Sequence, residues 1–245
     1  RAAGLNHLSI LLEARYKNTG KDGYPIIKQN FDAYFSDLVN KHDAKPSKPG
    51  AERGVFRKLF KTYGYLPITT DSHLGEYIQW AYSVADHDAI LDFYDNYKEK
   101  CLAFYDNKTS YDHYFDLKNL DTHERVVPII EGILSDSAYE EPAINIPNNG
   151  YIECLPKDIV VEVPGIINKS GISGISFNNY PAAFGSLLNS QSGVIQMTTD
   201  AVLNASKHSA YLALLADPVV NDSYQAEKLL NNMLETQGKF LYYLK

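Results

Sequence analysis

The chain has little cysteine and no excess of positive charge. Only Cys101 and Cys154 occur in 245 residues, and they lie far apart. That excludes a disulfide framework and a CxxC metal knuckle, and it fits a reducing, cytoplasmic setting. Net charge is −7, from 23 Lys+Arg against 30 Asp+Glu. A nucleic-acid binder needs a cationic face to displace counterions, and docking on anionic lipid needs the same, so neither partner is expected. No run approaches the ~18 apolar residues of a membrane span. There is no GxGxxG turn and no P-loop, because Gly171-Ile172-Ser173-Gly174 is too short and badly placed for either. Signal-peptide architecture is also lacking, and the opening Arg1-Ala2-Ala3-Gly4 reads like the middle of a protein. Without a secretory signal, the Asn-x-Ser/Thr matches at Asn107, Asn168, Asn204 and Asn221 read as chance.

What is present suits one large globular domain or two small ones. The chain is 44% hydrophobic and 12% aromatic, which is ample material for a core. Gly4 to Leu12 is a short apolar run, a strand or helix edge, carrying Asn6 and His7. Helical spacing is clear from Ile26 to Val39, and again at Val55, Phe56, Leu59, Phe60 and Tyr63, where Gly64 ends the run. The stretch Asp43 to Gly50 reads as a loop. Asp71-Ser72-His73 enters a helix with Leu74, Tyr77, Ile78, Ala81 and Ala85 on one face. Further helices are expected over Ile90 to Tyr105 and Thr122 to Leu134. Strands are expected over Ala143 to Pro147 and Ile159 to Pro164, with Tyr151-Ile152-Glu153 as a possible return. Gly165 to Gly174 reads as a turn-rich link. Helices resume near Ala182 and run past Val202, then from Ala210 to Ala216, where Asp217-Pro218 stops the helix, and from Gln225 to Leu234. Helices, then strands, then helices give an α+β class with mixed helices and antiparallel sheet.

Two clusters could carry chemistry. His7 can bind a metal through one imidazole nitrogen while Asn6 binds a hydroxyl; the alternative is a capping or core histidine. Asp71, His73 and Glu76 crowd titratable groups into about a turn and a half, and His73 and Glu76 share a helix face. The alternative is that Asp71 or Ser72 caps its own helix, favoured there by the helix dipole. Cys101 and Cys154 read as ordinary small apolar residues.

Several segments together resemble one family. Ala3-Gly4-Leu5-Asn6-His7-Leu8 resembles the AGxNH segment of the NAD- and manganese-dependent glycosidases, glycoside hydrolase family four. Tyr63-Gly64-Tyr65-Leu66-Pro67 followed by Asp71-Ser72-His73-Leu74-Gly75-Glu76-Tyr77 is similar to their central helix entry. The stretch from Asn145 to Pro164 resembles their NxPNxGxIxxLPxxxxVEVP pattern, and Ala213 to Val220 resembles their ALxxDPLV tail. The matches run in the family's order over nearly the whole chain.

The resemblance implies a fold like the C-terminal domain of lactate and malate dehydrogenase relatives, with the Rossmann domain absent from this chain. Residues 1–245 would then be a C-terminal substrate-binding and oligomerisation domain. It also implies a redox hydrolysis of α-hexosides or α-hexuronides, since this family departs from the usual pair of carboxylates. NAD takes a hydride from C3 of the sugar, a base removes the acidified C2 proton, the C1 leaving group departs, water adds, and the ketone is reduced back. A divalent metal, usually Mn2+, holds the C2 and C3 oxygens. His7 matches the family's metal-binding histidine and Asn6 its substrate-side neighbour. A tyrosine serves as base in the 6-phosphoglycosidase branch. Ile68 to Ser72 hold none, so Asp71 is the candidate base, with His73 and Glu76 lining the substrate pocket. That departure points toward the α-galacturonidase, α-glucuronidase and α-galactosidase branches. NAD and most of the metal shell would belong to an N-terminal Rossmann domain, and the family forms dimers and tetramers. The rival expectation is a non-catalytic binding or oligomerisation module.

Overall fold

The computed structural model describes residues 1–42, 53–106 and 125–245. The expected loop over 43–50, the Asn107 sequon and residues 122–124 lie outside the described residues.

Among the described residues, six antiparallel strands form one sheet: β1 (Ala2–Leu5), β2 (Leu8–Leu11), β3 (Leu66–Pro67), β4 (Tyr139–Pro147), β5 (Val160–Asn168) and β6 (Gly171–Gly174). Their order is β3-β2-β1-β5-β4. β6 lies beside β1 on the same edge of β5, since Gly4 pairs with Glu162 while Gly174 pairs with Gly165. The helices are α1 (Tyr24–His42), α2 (Gly54–Tyr63), α3 (Asp71–Leu74), α4 (His87–Asp106), α5 (Val126–Ser135), α6 (Ala182–Leu203), α7 (Lys207–Ala216), α8 (Ser223–Thr236) and α9 (Gly238–Leu241), with a 3-10 turn over Gln79–Ser83. The α+β class and its antiparallel sheet are as expected.

One core joins these elements. Ala3, Leu8, Ile10, Val161, Val163 and Ile167 of the sheet pack with Val55 and Leu59 of α2, Leu74, and Phe184 and Leu188 of α6. The apolar stripe of α2 therefore faces the sheet, and Gly64, at φ 78, ends that helix in a left-handed cap. A smaller cluster of Tyr24, Phe31 and Phe60 holds α1 against α2. Among the described residues no helix is long and apolar enough to cross a membrane.

Three readings need correction. Gly165 to Gly174 is not a link. β5 continues to Asn168 and turns into β6, and Pro164, which lacks an N–H, sits where the strand's neighbour changes from β1 to β6. The single helix expected from Asp71 to Ala85 is one turn of α3 and then tighter turns, with Glu76, Tyr77 and Ala81 donating to His73, Leu74 and Ile78, three residues back. Tyr151-Ile152-Glu153 is no returning strand; Ile152 makes one isolated bridge to Phe177.

Gly4 has a packing reason. A Cβ there would lie 2.3 Å from the carbonyl oxygen of Leu8 and 2.6 Å from the Cα of Ser9. Gly4→Ala is expected to lower stability by about 1–3 kcal/mol through overpacking. A thermal melt unchanged from the parent would contradict that reading of the β1–β2 pair.

Candidate active site

The β1–β2 hairpin builds the first half of the site. Leu5 pairs with Leu8, so Asn6 and His7 form the two-residue turn between them. The strands behind the turn are buried from Ala3 to Leu5 and from Leu8 to Ile10, while Asn6 and His7 are exposed at its tip. His7 has φ 60, the left-handed region that most residues avoid. The hairpin is anchored from behind, as the buried Tyr180 hydroxyl donates to the carbonyl of Ala3 at 3.0 Å. Burial pushes the Tyr180 pKa well above that of an ordinary phenol, which keeps it a donor. Ser9, fully buried, donates to Glu162 Oε1 at 3.1 Å.

Glycine suits a left-handed position better than histidine does. His7→Gly is therefore expected to leave stability equal or up to about 1 kcal/mol higher. A melt showing a loss of more than about 1 kcal/mol would mean that His7 holds the fold rather than serving a site.

The second half comes from α3 and the turn after it. The His73 ring stacks on the His7 ring, with centroids 4.0 Å apart and planes at 32°. Glu76 Oε2 lies 3.7 Å from His73 Nδ1, beyond hydrogen-bond reach. That nitrogen is buried and has no hydrogen-bond partner. The hairpin tip and α3, far apart in sequence, thus present two imidazoles and a carboxylate together.

Asp71 is seated differently from its neighbours. It is fully buried, and its two carboxylate oxygens accept from the backbone N–H groups of Val55 and Phe56 at 2.8 and 2.9 Å. It caps α2, not its own helix, whose N-cap position is Thr70, without a side-chain bond to the helix backbone. Burial raises the Asp71 pKa above the ordinary aspartate value and outweighs the two amides, Arg53 and the Gly54 amide, all of which lower it. Among the described residues no three His, Cys, Asp or Glu side chains gather as a metal site.

Asn6 also lines a cavity of about 470 Å3 bounded by the β4 end, the segment before β5, and α6. Tyr77 reaches it, and burial pushes the Tyr77 phenol pKa up. His73 and Glu76 do not line that cavity; they lie at the His7 side of the turn. Reading the sequence missed Gln191, which is almost fully buried on α6. The available signal was a polar residue recurring at four-residue steps with Ile195 and Thr199 on one helix face.

A family model described as the C-terminal domain of family 4 glycosyl hydrolases matches residues 2–220. The chain belongs to this family. An alpha-glucosidase of Erwinia rhapontici is 38% identical over 270 residues, covering 100% of this chain and 57% of that protein. An alpha-galacturonidase of Thermoanaerobacterium saccharolyticum is 28% identical, covering 97% of this family-four chain and 53% of the relative. Among solved structures, a 6-phospho-alpha-glucosidase from gut microorganisms in complex with NAD and Mn2+ matches with a TM-score of 0.70 at 19% identity. That match covers 98% of this chain and 54% of the other. A 6-phospho-beta glucosidase from Thermotoga maritima, with manganese, NAD+ and glucose-6-phosphate, gives 0.65 at 19% identity, over 98% and 53% of the two chains. This family-four chain therefore spans a little over half the length of these relatives. The structural likeness carries the fold; the family rests on the matched domain.

Proposed function

We propose that residues 1–245 are the substrate-binding and self-association part of a cytoplasmic enzyme. The enzyme hydrolyses α-hexosides or α-hexuronides by NAD-dependent oxidation and elimination with a divalent metal. The observation that carries this is the exposed His7 imidazole, held in a left-handed turn at the tip of a buried hairpin and stacked on His73. An imidazole presented to solvent beside a carboxamide suits a borderline divalent cation and a sugar hydroxyl. His7 is one donor, so the remaining ligands, like the NAD site, are assigned to a Rossmann domain of the kind the longer relatives have room for. When bound, the cation would supply Lewis-acid polarisation of two adjacent sugar oxygens and NAD a hydride acceptor.

This chain's own residues do the rest. Asn6 hydrogen-bonds a sugar hydroxyl beside His7. His73, with an unpartnered Nδ1, and the exposed Glu76 bind further hydroxyls. Asp71 accepts the C2 proton. Its raised pKa supports that role, because a carboxylate starved of water holds a proton more readily. Its oxygens accept from the Val55 and Phe56 amides, which fixes the carboxylate in place. On the same reading the chain self-associates into dimers or tetramers. The test is hydrolysis of α-glucosides and α-galacturonides by the whole protein, with and without NAD, Mn2+ and reductant. Loss of turnover on omitting either cofactor is expected; equal rates without them would contradict the redox route.

A further inference from the structure

Resting on that reading, we propose that the cavity beside Asn6 is the subsite for the leaving group, and that it takes a neutral, polyhydroxylated one such as a second hexose. The cavity begins at the hairpin tip. Asn6 lines it, while His7, the next residue, faces the other cluster. On this proposal, the C1 substituent of a glycoside gripped at this turn occupies the space past Asn6. At about 470 Å3 the cavity falls within the roughly 300–1,000 Å3 of small-molecule sites.

Its lining names the ligand class. Asn6, Asn145, Asp158, Gln191, Gln196 and Thr199 converge on it from the hairpin, β4, the segment before β5, and α6. Carboxamides and a hydroxyl both donate and accept, as sugar hydroxyls do. Among the described residues, the one charged residue in the lining is an acid, Asp158, and no lysine, arginine or histidine lines the cavity. A phosphate or uronate there would meet a like charge with no compensating cation, so a neutral polyol is favoured. Apolar walls from Leu5, Leu8 and Ile195 suit the carbon face of a pyranose.

Gln191 supplies an independent sign that the cavity is built for a polar guest. It is only 4% exposed, and its Nε2 makes one long bond, 3.4 Å, to the carbonyl of Tyr77. A buried carboxamide held this loosely retains hydrogen-bonding capacity for a ligand. Gln191, Ile195 and Thr199 recur at four-residue steps on α6, so one rigid helix face sets their spacing.

The experiment uses the whole protein and two variants at exposed positions, Gln196→Leu and Thr199→Val. Two readouts are taken: kcat/KM for an α-glucosyl disaccharide relative to a 4-nitrophenyl α-glucoside, and the affinity for free glucose by saturation-transfer NMR. The disaccharide-to-aryl ratio is expected to fall about tenfold through KM, with glucose affinity falling alongside. A conserved ratio and unchanged glucose affinity in variants that melt like the parent would overturn the subsite. If neither substrate is hydrolysed, the glycosidase reading fails, and the glucose titration still decides the subsite. A variant-sensitive affinity upholds a neutral-sugar pocket and an insensitive one overturns it. Tighter binding of glucose 6-phosphate than of glucose, weakened by the same variants, would also overturn the neutral-ligand assignment.

Discussion

In the whole protein, Asp71→Asn is expected to abolish exchange of the sugar C2 proton with solvent deuterium and to lower kcat about 10²–10⁴-fold. Asparagine keeps one oxygen to accept from an α2 amide but turns an NH2 group toward the other N–H. Some loss of stability is therefore expected as well, and deuterium exchange is the readout that isolates proton transfer. The two roles also separate by pH. The folded state raises the Asp71 pKa, so the stability it contributes is present in the protonated form at low pH and is lost as pH rises through the folded value. The stability gap between parent and Asp71→Asn should therefore be widest in acid and shrink toward neutrality. Unchanged deuterium exchange in a variant with altered stability would leave Asp71 as a cap of α2 and nothing more.

Asn148→Asp is expected to cost the most stability. Asn148 is fully buried, and its Nδ2 lies 2.9 Å from the carbonyl of Ile152, 3.0 Å from that of Leu155 and 3.0 Å from that of Pro156. Its Oδ1 accepts from the Ile152 N–H at 2.8 Å. An aspartate would turn the donor edge toward carbonyl oxygens with nothing to donate. At about 1 kcal/mol for each lost bond, plus the cost of a buried unpaired charge, the loss exceeds about 3 kcal/mol. A chain of this size should then melt roughly 6–12 °C lower. A melting temperature within roughly two degrees of the parent would show that these carbonyls find other partners.

The same residue shows what was legible in the sequence. The NxPNxGxIxxLP pattern was visible as a resemblance; its cause was not. In space, the Asn148 carboxamide holds the backbone carbonyls of Ile152, Leu155 and Pro156, a contact set by the fold of the loop and not visible as a pattern of residue types. Local rules also served well where structure is local. The 3.6-residue period and Gly64 located α2, and Asp217-Pro218 ended α7. They failed where the sheet decides. Pro164 and Gly165 read as the end of a strand, yet β5 continues, because its neighbour changes there from β1 to β6. Asp71 was legible as a cap but not of which helix, since Val55 lies sixteen residues away. His7 was visible as a residue type. Its left-handed turn and its stack on His73 arise only when two distant segments meet.

The proposed chemistry depends most on His7 as a metal ligand. Mn2+ affinity of the whole protein, measured by electron paramagnetic resonance titration with parent and His7→Gly side by side, addresses it directly, because glycine suits the turn and keeps the hairpin. Changes one layer out from a metal typically cost 10–100-fold, so loss of a ligand itself is expected to weaken Mn2+ binding by at least about 100-fold. Equal affinity in a folded His7→Gly protein would contradict the central claim.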